Sequence, residues 1–285
     1  MDGRMPAIID LDAEAAKLVL FRGRTSQTTS ADRKGSLARL AAYRDGILLL
    51  SKSAGTGHWE VHPEDELVHI LEGAATLEIV EEQGPQSYAL GAGMMAVVPQ
   101  GAWHRFRSAD GRTGMSLVVP GDNIDLDVAD PRPHLPGSDQ GAAPTQRRAP
   151  IIVDLASELA TLTMFRRSPH STAADRSGSV AELAPYRDGL ALAIKSAGRD
   201  HWERHLTGDE FIHILDGSVS LEIVRDDGPP KSFLLRAGTV AVIPQGAWHR
   251  FLSEEGATQL AVTPFPGESI ELDVDDPRMV ERKPA

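Results

Sequence analysis

The sequence predicts an all-β protein of two tandem domains, each a sandwich or barrel, related by internal duplication, with short helical patches. Three observations carry this expectation. First, HWEVHPEDELVHILEG (58–73) and GMMAVVPQGAWHRFRS (93–108) return as HWERHLTGDEFIHILDG (201–217) and GTVAVIPQGAWHRFLS (238–253). His62 and His205 are 143 residues apart, Glu66 and Glu210 are 144 apart, and His104 and His249 are 145 apart. That period suits a duplicated domain and is far too long for a solenoid repeat. Second, short runs of alternating apolar and polar residues, separated by Gly, Pro or Asp, fill both halves and argue for a sandwich or barrel. Third, ADPRPHLPGSDQGAAPTQRRAP (129–150) has no apolar periodicity and reads as a connection.

In chain order, AIIDL (7–11) reads as the opening strand of the first half and PIIVDL (150–155) as that of the second. GSLARLAAYRD (35–45) and GSVAELAPYRD (178–188) read as short helices, the second cut shorter by Pro185. Each is followed by a Gly that suits a helix cap. LVHILEGAATLEIVEE (67–82) reads as two strands broken at Glu72-Gly73, with MMAVVP, HRFRS and TGMSLVV as further strands. GDNIDLDVADPR (121–132) closes the first half and GESIELDVDDPR (267–278) the second. The domains expected are therefore 1–128 and 150–285, joined by a linker at 129–149.

The 285 residues, 41% of them hydrophobic, suffice for two cores. A net charge of −12 disfavours nucleic acid and anionic membranes as partners. With no cysteine there is no disulfide, thiolate ligand or thiol nucleophile. No apolar run reaches membrane-spanning length and no signal peptide is read at the start, so a cytoplasmic protein is expected.

The repeated words hold all four tryptophans and eight of the ten histidines. On a strand, His58, Glu60 and His62 share one face. The short acidic turn Pro63-Glu64-Asp65 can bring Glu66 back beside His62. With His104, two imidazoles and a carboxylate make a set suited to a divalent first-row metal with open positions. Glu203, His205, Glu210 and His249 repeat the order.

The spacing of His62, Glu66 and Gly73, and of Gly93, Pro99, Gly101 and His104, resembles the two motifs of the cupin superfamily. His205, Glu210 and Gly217, then Gly238, Pro244, Gly246 and His249, match them again, so the chain resembles a bicupin. The resemblance implies a cupin-type jelly-roll barrel in each half with one metal (Fe, Mn, Ni or Zn) per domain. Its first motif usually begins with a histidine where this chain has Glu60 and Glu203. Its second usually has Asn where Ser108 and Ser253 stand. The order acid-x-His, Glu, His resembles 3-hydroxyanthranilate dioxygenases, in which two His and one Glu hold iron(II) and the preceding acid serves the reaction. Glu60 and Glu203 are then either acid–base groups or fourth ligands, and His58 and His201 compete for the latter role.

Plainer readings stand beside these. His69 and His213, three residues past the ligand Glu, should face away from the metal. Trp103, Trp248, Arg105 and Arg250 should also point away from it. Phe106, Phe251, Met95 and Val97 are expected to line the metal side. The Tyr43-Arg44-Asp45-Gly46 repeat fits a helix end, with substrate binding by Arg44 as the sharper alternative. The function expected is a metal-dependent, dioxygenase-like enzyme acting on a small organic acid or aromatic. A non-catalytic binding protein and a metal-dependent isomerase are the alternatives. Either a monomer or a homodimer is compatible with two barrels in one chain.

Overall fold

The structure, a computed structural model, describes residues 5–135, 149–270 and 273–280. In chain order it contains β1 (Ala7–Asp10), α1 (Leu11–Ala16), β2 (Phe21–Arg24), β3 (Leu37–Tyr43), β4 (Gly46–Thr56), β5 (Trp59–Val61), β6 (Glu66–Glu81), β7 (Gly84–Gly91), β8 (Met94–Val98), β9 (His104–Val118) and β10 (Asp122–Ile124). The same series then returns as β11 (Ile151–Asp154), α2 (Leu155–Ala160), β12 (Phe165–Arg167), β13 (Val180–Tyr186), β14 (Gly189–Arg199), β15 (Trp202–His205), β16 (Glu210–Ile223), β17 (Lys231–Arg236), β18 (Thr239–Ile243), β19 (His249–Pro264) and β20 (Gly267–Ile270). Two ten-stranded sheets result. Each is a jelly-roll barrel, as the cupin resemblance implies; the two-domain, all-β character follows from the duplication and alternation.

The chain divides into one unit of residues 13–156 and another of residues up to Asp12 together with Ser157 onward. This differs from the boundaries at 128 and 150 drawn from the sequence. Strand β1 pairs with β18, Ala7 opposite Val242 and Asp10 opposite Thr239. Strand β11 pairs with β8, Ile151 opposite Val97 and Asp154 opposite Met94. AIID and IIVD are nearly interchangeable, as are the edges that receive them, so local sequence does not say which opening strand joins which barrel. Much of the proposed linker, 136–148, lies outside the described residues.

Both expected helices over 35–45 and 178–188 are strands instead. β3 and β13 each carry a register shift, between Arg39 and Ala41 and between Glu182 and Ala184. A bulge inserts one residue and breaks the two-residue period, which leaves an apolar spacing that imitates a helix. The shared YRDG word is then a two-residue hairpin turn with Arg44 and Arg187 left-handed at φ 53° and 54°. Pro185 is tolerated because, among the described residues, β13 pairs only with β14. The expected break at Glu72-Gly73 is a pair of residues flanked by two register shifts inside the continuous β6. A Cβ on Gly73 would lie 2.2 Å from the Gly111 carbonyl oxygen, so only Gly lets the two backbones close there.

The interior of the first barrel is an apolar cluster that includes Val68, Ile70, Leu77, Ile79, Ala96 and Phe106. Its counterpart in the second includes Ile212, Ile214, Leu221, Ile223, Ala241 and Phe251. Each such aliphatic side chain contributes roughly 1.5–3 kcal/mol by leaving water. Glu66 and Glu210 share the inward face of β6 and β16 with Val68 and Ile212, two residues on. The cluster therefore ends at each carboxylate.

Candidate metal centre

In the first barrel β5, the start of β6 and the start of β9 meet. Glu60 on β5 is directly opposite His104 on β9. His62 follows β5, and the backbone N–H of Gly101 donates to its carbonyl at 3.0 Å, which ties the two motifs together. Donor atoms of Glu60, His62 and His104 all lie within 4.8 Å of one another. Glu66 Oε2 is 2.9 Å from His104 Nε2 and 3.7 Å from His62 Nε2. The second barrel groups Glu203, His205, Glu210 and His249 within the same span. There Glu210 lies 2.9 Å from His249 Nε2 and 3.5 Å from His205 Nε2.

The outer contacts orient these rings. His104 Nδ1 donates to the Ala102 carbonyl and His249 Nδ1 to the Ala247 carbonyl, both at 3.0 Å, which leaves each Nε2 facing the centre. Thr263 Oγ1 donates to Glu210 Oε1 at 2.7 Å. His62 Nε2, His205 Nε2, His249 Nε2 and Glu210 Oε2 are buried without a hydrogen-bond partner. Buried polar atoms without partners are costly. Three of them converge in the second barrel and His62 Nε2 faces Glu66 and His104 in the first, which fits a cation at each centre.

The fields agree with that reading. Burial lowers the His205 imidazole, but Glu210 outweighs it and raises it to about 9. Burial also opposes protonation of His104 and His249, while Glu66 and Glu210 raise both. Burial raises Glu203, yet the His201 bond and the His249 charge bring it down to about 2. Glu60 is likewise held below the usual carboxylate range by His58, His104 and Arg24 against the opposing effect of burial. Both centres therefore concentrate negative charge at the point where the imidazoles meet.

Glu60 is shared. Its Oε2 is 3.3 Å from His58 Nε2, while its Oε1 is 3.9 Å from His104 Nε2. Glu203 sits the same way, 3.5 Å from His201 Nε2 and 3.7 Å from His249 Nε2. His58 and His201 thus partner the acid and are not in the donor groups.

The outward-facing residues behave as their strand parity predicts. His69 pairs in register with Met95 and Met115 and is outside the donor group, and burial lowers it to about 4. The Arg105 guanidinium stacks on Trp59 at 4.6 Å, and Arg250 stacks on Trp202 at 4.2 Å. The Trp59 and Trp202 indoles donate to Val128 and Val274 carbonyls at 2.9 Å, and Trp103 packs with Trp59. The tryptophans therefore pin the closing segment of each half. One expectation is corrected: Phe106 and Phe251 line the interior, but Met95 and Val97 do not. Ala96 and Val98 take the inward face, because β8 pairs Glu66 with Val98 and parity follows from that register.

Beside the second centre is a cavity of about 1010 Å³. Ile194, Ile212, Phe251 and Ala261 form its apolar wall, and Arg167 and Arg176 also line it. The two arginines carry no signal in the motifs. Only their repetition as Arg24 and Arg33 could have drawn attention to them.

Fold and site together define two jelly-roll barrels, each with a His/Glu group that can hold a divalent metal ion. Residues 46–120 match the family described as cupin domain. Solved structures agree in fold. An oxalate decarboxylase matches with TM-score 0.52 and 12% identity over 93% of this chain and 79% of that one. A deletion variant of Bacillus subtilis oxalate decarboxylase matches with the same four values. No curated protein matches the chain. No helix among the described residues is long and apolar enough to cross a membrane.

Proposed function

We propose that His62, Glu66 and His104, and in the second barrel His205, Glu210 and His249, each hold a divalent transition metal, and that the chain is a metal-dependent enzyme of oxygenase type acting on a small organic acid or aromatic. The observation that carries this reading is the convergence of buried His and Glu donor atoms in each barrel, several of them without a hydrogen-bond partner. A bound metal would supply Lewis acidity and open positions for small ligands. Glu60 and Glu203 hold and move a proton between the bound organic acid and His58 or His201, since each carboxylate faces both the centre and its histidine. The apolar walls keep bulk water from the reacting group.

Metal analysis of the purified chain should find one metal per barrel. Glu66→Ala and Glu210→Ala should each lose about one equivalent, whereas Glu60→Gln and Glu203→Gln should keep the metal and lose turnover. Oxygen uptake by anaerobically iron-loaded protein tests the reaction class across keto acids, diacids and catechols. Carbon dioxide release without oxygen uptake would replace the oxygenase assignment with a decarboxylase. One metal per chain would sink the two-site reading.

A further inference from the structure

The duplication allows the two centres to be compared position by position. Arg24 pairs with Gly55 as Arg167 pairs with Gly198 in the register. The Gly57 N–H donates to the Phe106 carbonyl, and the Asp200 N–H donates to the matching Phe251 carbonyl, both at 2.9 Å. Arg112 lies opposite Ser53, and Ala257 lies opposite the equivalent Ser196. Gly114 and Gln259 correspond in the same way, opposite Ser51 and Ile194.

At these positions the barrels differ in a coordinated manner. In the second, Asp200 forms a buried ion pair with Arg167 Nη1. In the first the counterpart of Asp200 is Gly57, whose added Cβ would lie 3.2 Å from the Arg24 Cζ. Arg24 therefore sits over bare backbone. The first barrel also adds Arg112, which stacks over Phe106 at 4.9 Å, and Phe106 packs edge-on against His104. Gly114 makes room for it, since a Cβ there would fall 2.1 Å from Arg112 Nη1. Arg24 and Arg112 are nine-tenths buried. Arg24 Nε, Arg33 Nε and Arg112 Nη1 have no hydrogen-bond partner. Arg24 and Arg33 crowd Arg112, and burial with that repulsion lowers it to about 10.

The first centre thus sets three arginines against Glu60 and Glu66. The second sets Arg167 and Arg176 against Asp200, Glu203 and Glu210. Three guanidinium groups with unbonded buried N–H atoms outnumber the two glutamates they face, which favours a further anion, and the planar fork suits a carboxylate. We propose that the first barrel is the site for an anionic ligand, a small mono- or dicarboxylate held between the metal and Arg24, Arg33 and Arg112, and that Asp200 and Ala257 have removed this preference from the second. This rests on the metal-centre reading above and adds the substrate class and the division of labour between the barrels.

The test is calorimetric titration of oxalate into the full chain loaded with zinc, with zinc content measured on the same samples. One oxalate should bind tightly per chain. Gly57→Asp and Arg112→Ala, which copy the second barrel into the first, should each weaken it roughly 10- to 100-fold, the range for losing a hydrogen bond to a charged group. Zinc content should not change, and Arg112→Lys should keep part of the affinity. The reverse triple variant, Asp200→Gly with Ala257→Arg and Gln259→Gly, should create a second oxalate site. Equal oxalate binding at both barrels, or unchanged affinity in both Gly57→Asp and Arg112→Ala with zinc retained, overturns the proposal and leaves the metal reading intact. Failure to take up zinc overturns the metal reading instead. The same titration of metal-free chain and its Arg112→Ala variant then still decides whether the arginines bind an anion.

Discussion

Removing the metal should invert how the second barrel responds to pH. In the metal-free chain His205 is buried beside Glu210 and is raised from 6.5 to about 9. A histidine whose folded value exceeds its unfolded value stabilises the fold fully below pH 6.5, and the contribution disappears as pH rises through 9. At 1.36 kcal/mol per pH unit, the contribution at stake is about 3 kcal/mol. His104 and His249 are also raised, so they act in the same direction. Urea unfolding of chelator-treated protein at pH 6.5, 8 and 9.5 should show a falling midpoint across this window, and His205→Gln should flatten it. With zinc or manganese bound, the trend should reverse below neutrality, because a ligating imidazole must lose its proton and binding releases it. A metal-free chain whose stability is level or rising between pH 6.5 and 9.5 would refute the placement of His205 against Glu210.

Other outcomes follow from single contacts. Trp202→Ala should cost about 3–5 kcal/mol in urea unfolding, since it empties a fully buried site and removes the indole bond to Val274. Thr263→Val should weaken metal binding at the second centre roughly 10- to 100-fold in a competition titration, because Glu210 loses the hydroxyl that orients it. Gly121→Ala should destabilise the first barrel by about 1–3 kcal/mol, as the new Cβ would fall 1.8 Å from the Val61 carbonyl oxygen and force β5 and β10 apart.

The barrels and their donor residues were legible because function and fold use the same words. His62, Glu66 and His104 stand at spacings that only a hairpin and a distant strand can bring together, and the second copy removes coincidence. What was not legible lies where local pattern and register part. Leu40 at a bulge gave β3 a helical spacing, and Met95 and Val97 were misassigned because parity in β8 depends on pairing with Glu66. The arginines were missed for another reason. Arg24 and Arg33 precede the first repeated word and Arg112 falls just past the second, so all three lie outside the motifs, and their meaning depends on a missing partner: Gly57 where its twin has Asp200. A charge left in excess by a missing partner leaves no word to read.

The pairing of β1 with β18 and of β11 with β8 has a consequence for how such a chain can change. Each half of the polypeptide carries an edge strand of the other's barrel. Deleting one half would strip the survivor of that strand and uncover a row of backbone donors and acceptors, which is a template for aggregation. Truncation therefore yields a sticky fragment in place of a smaller working protein. Strand exchange holds both copies in the chain even if only one is needed for a given reaction, so the two centres can differ without either barrel being lost.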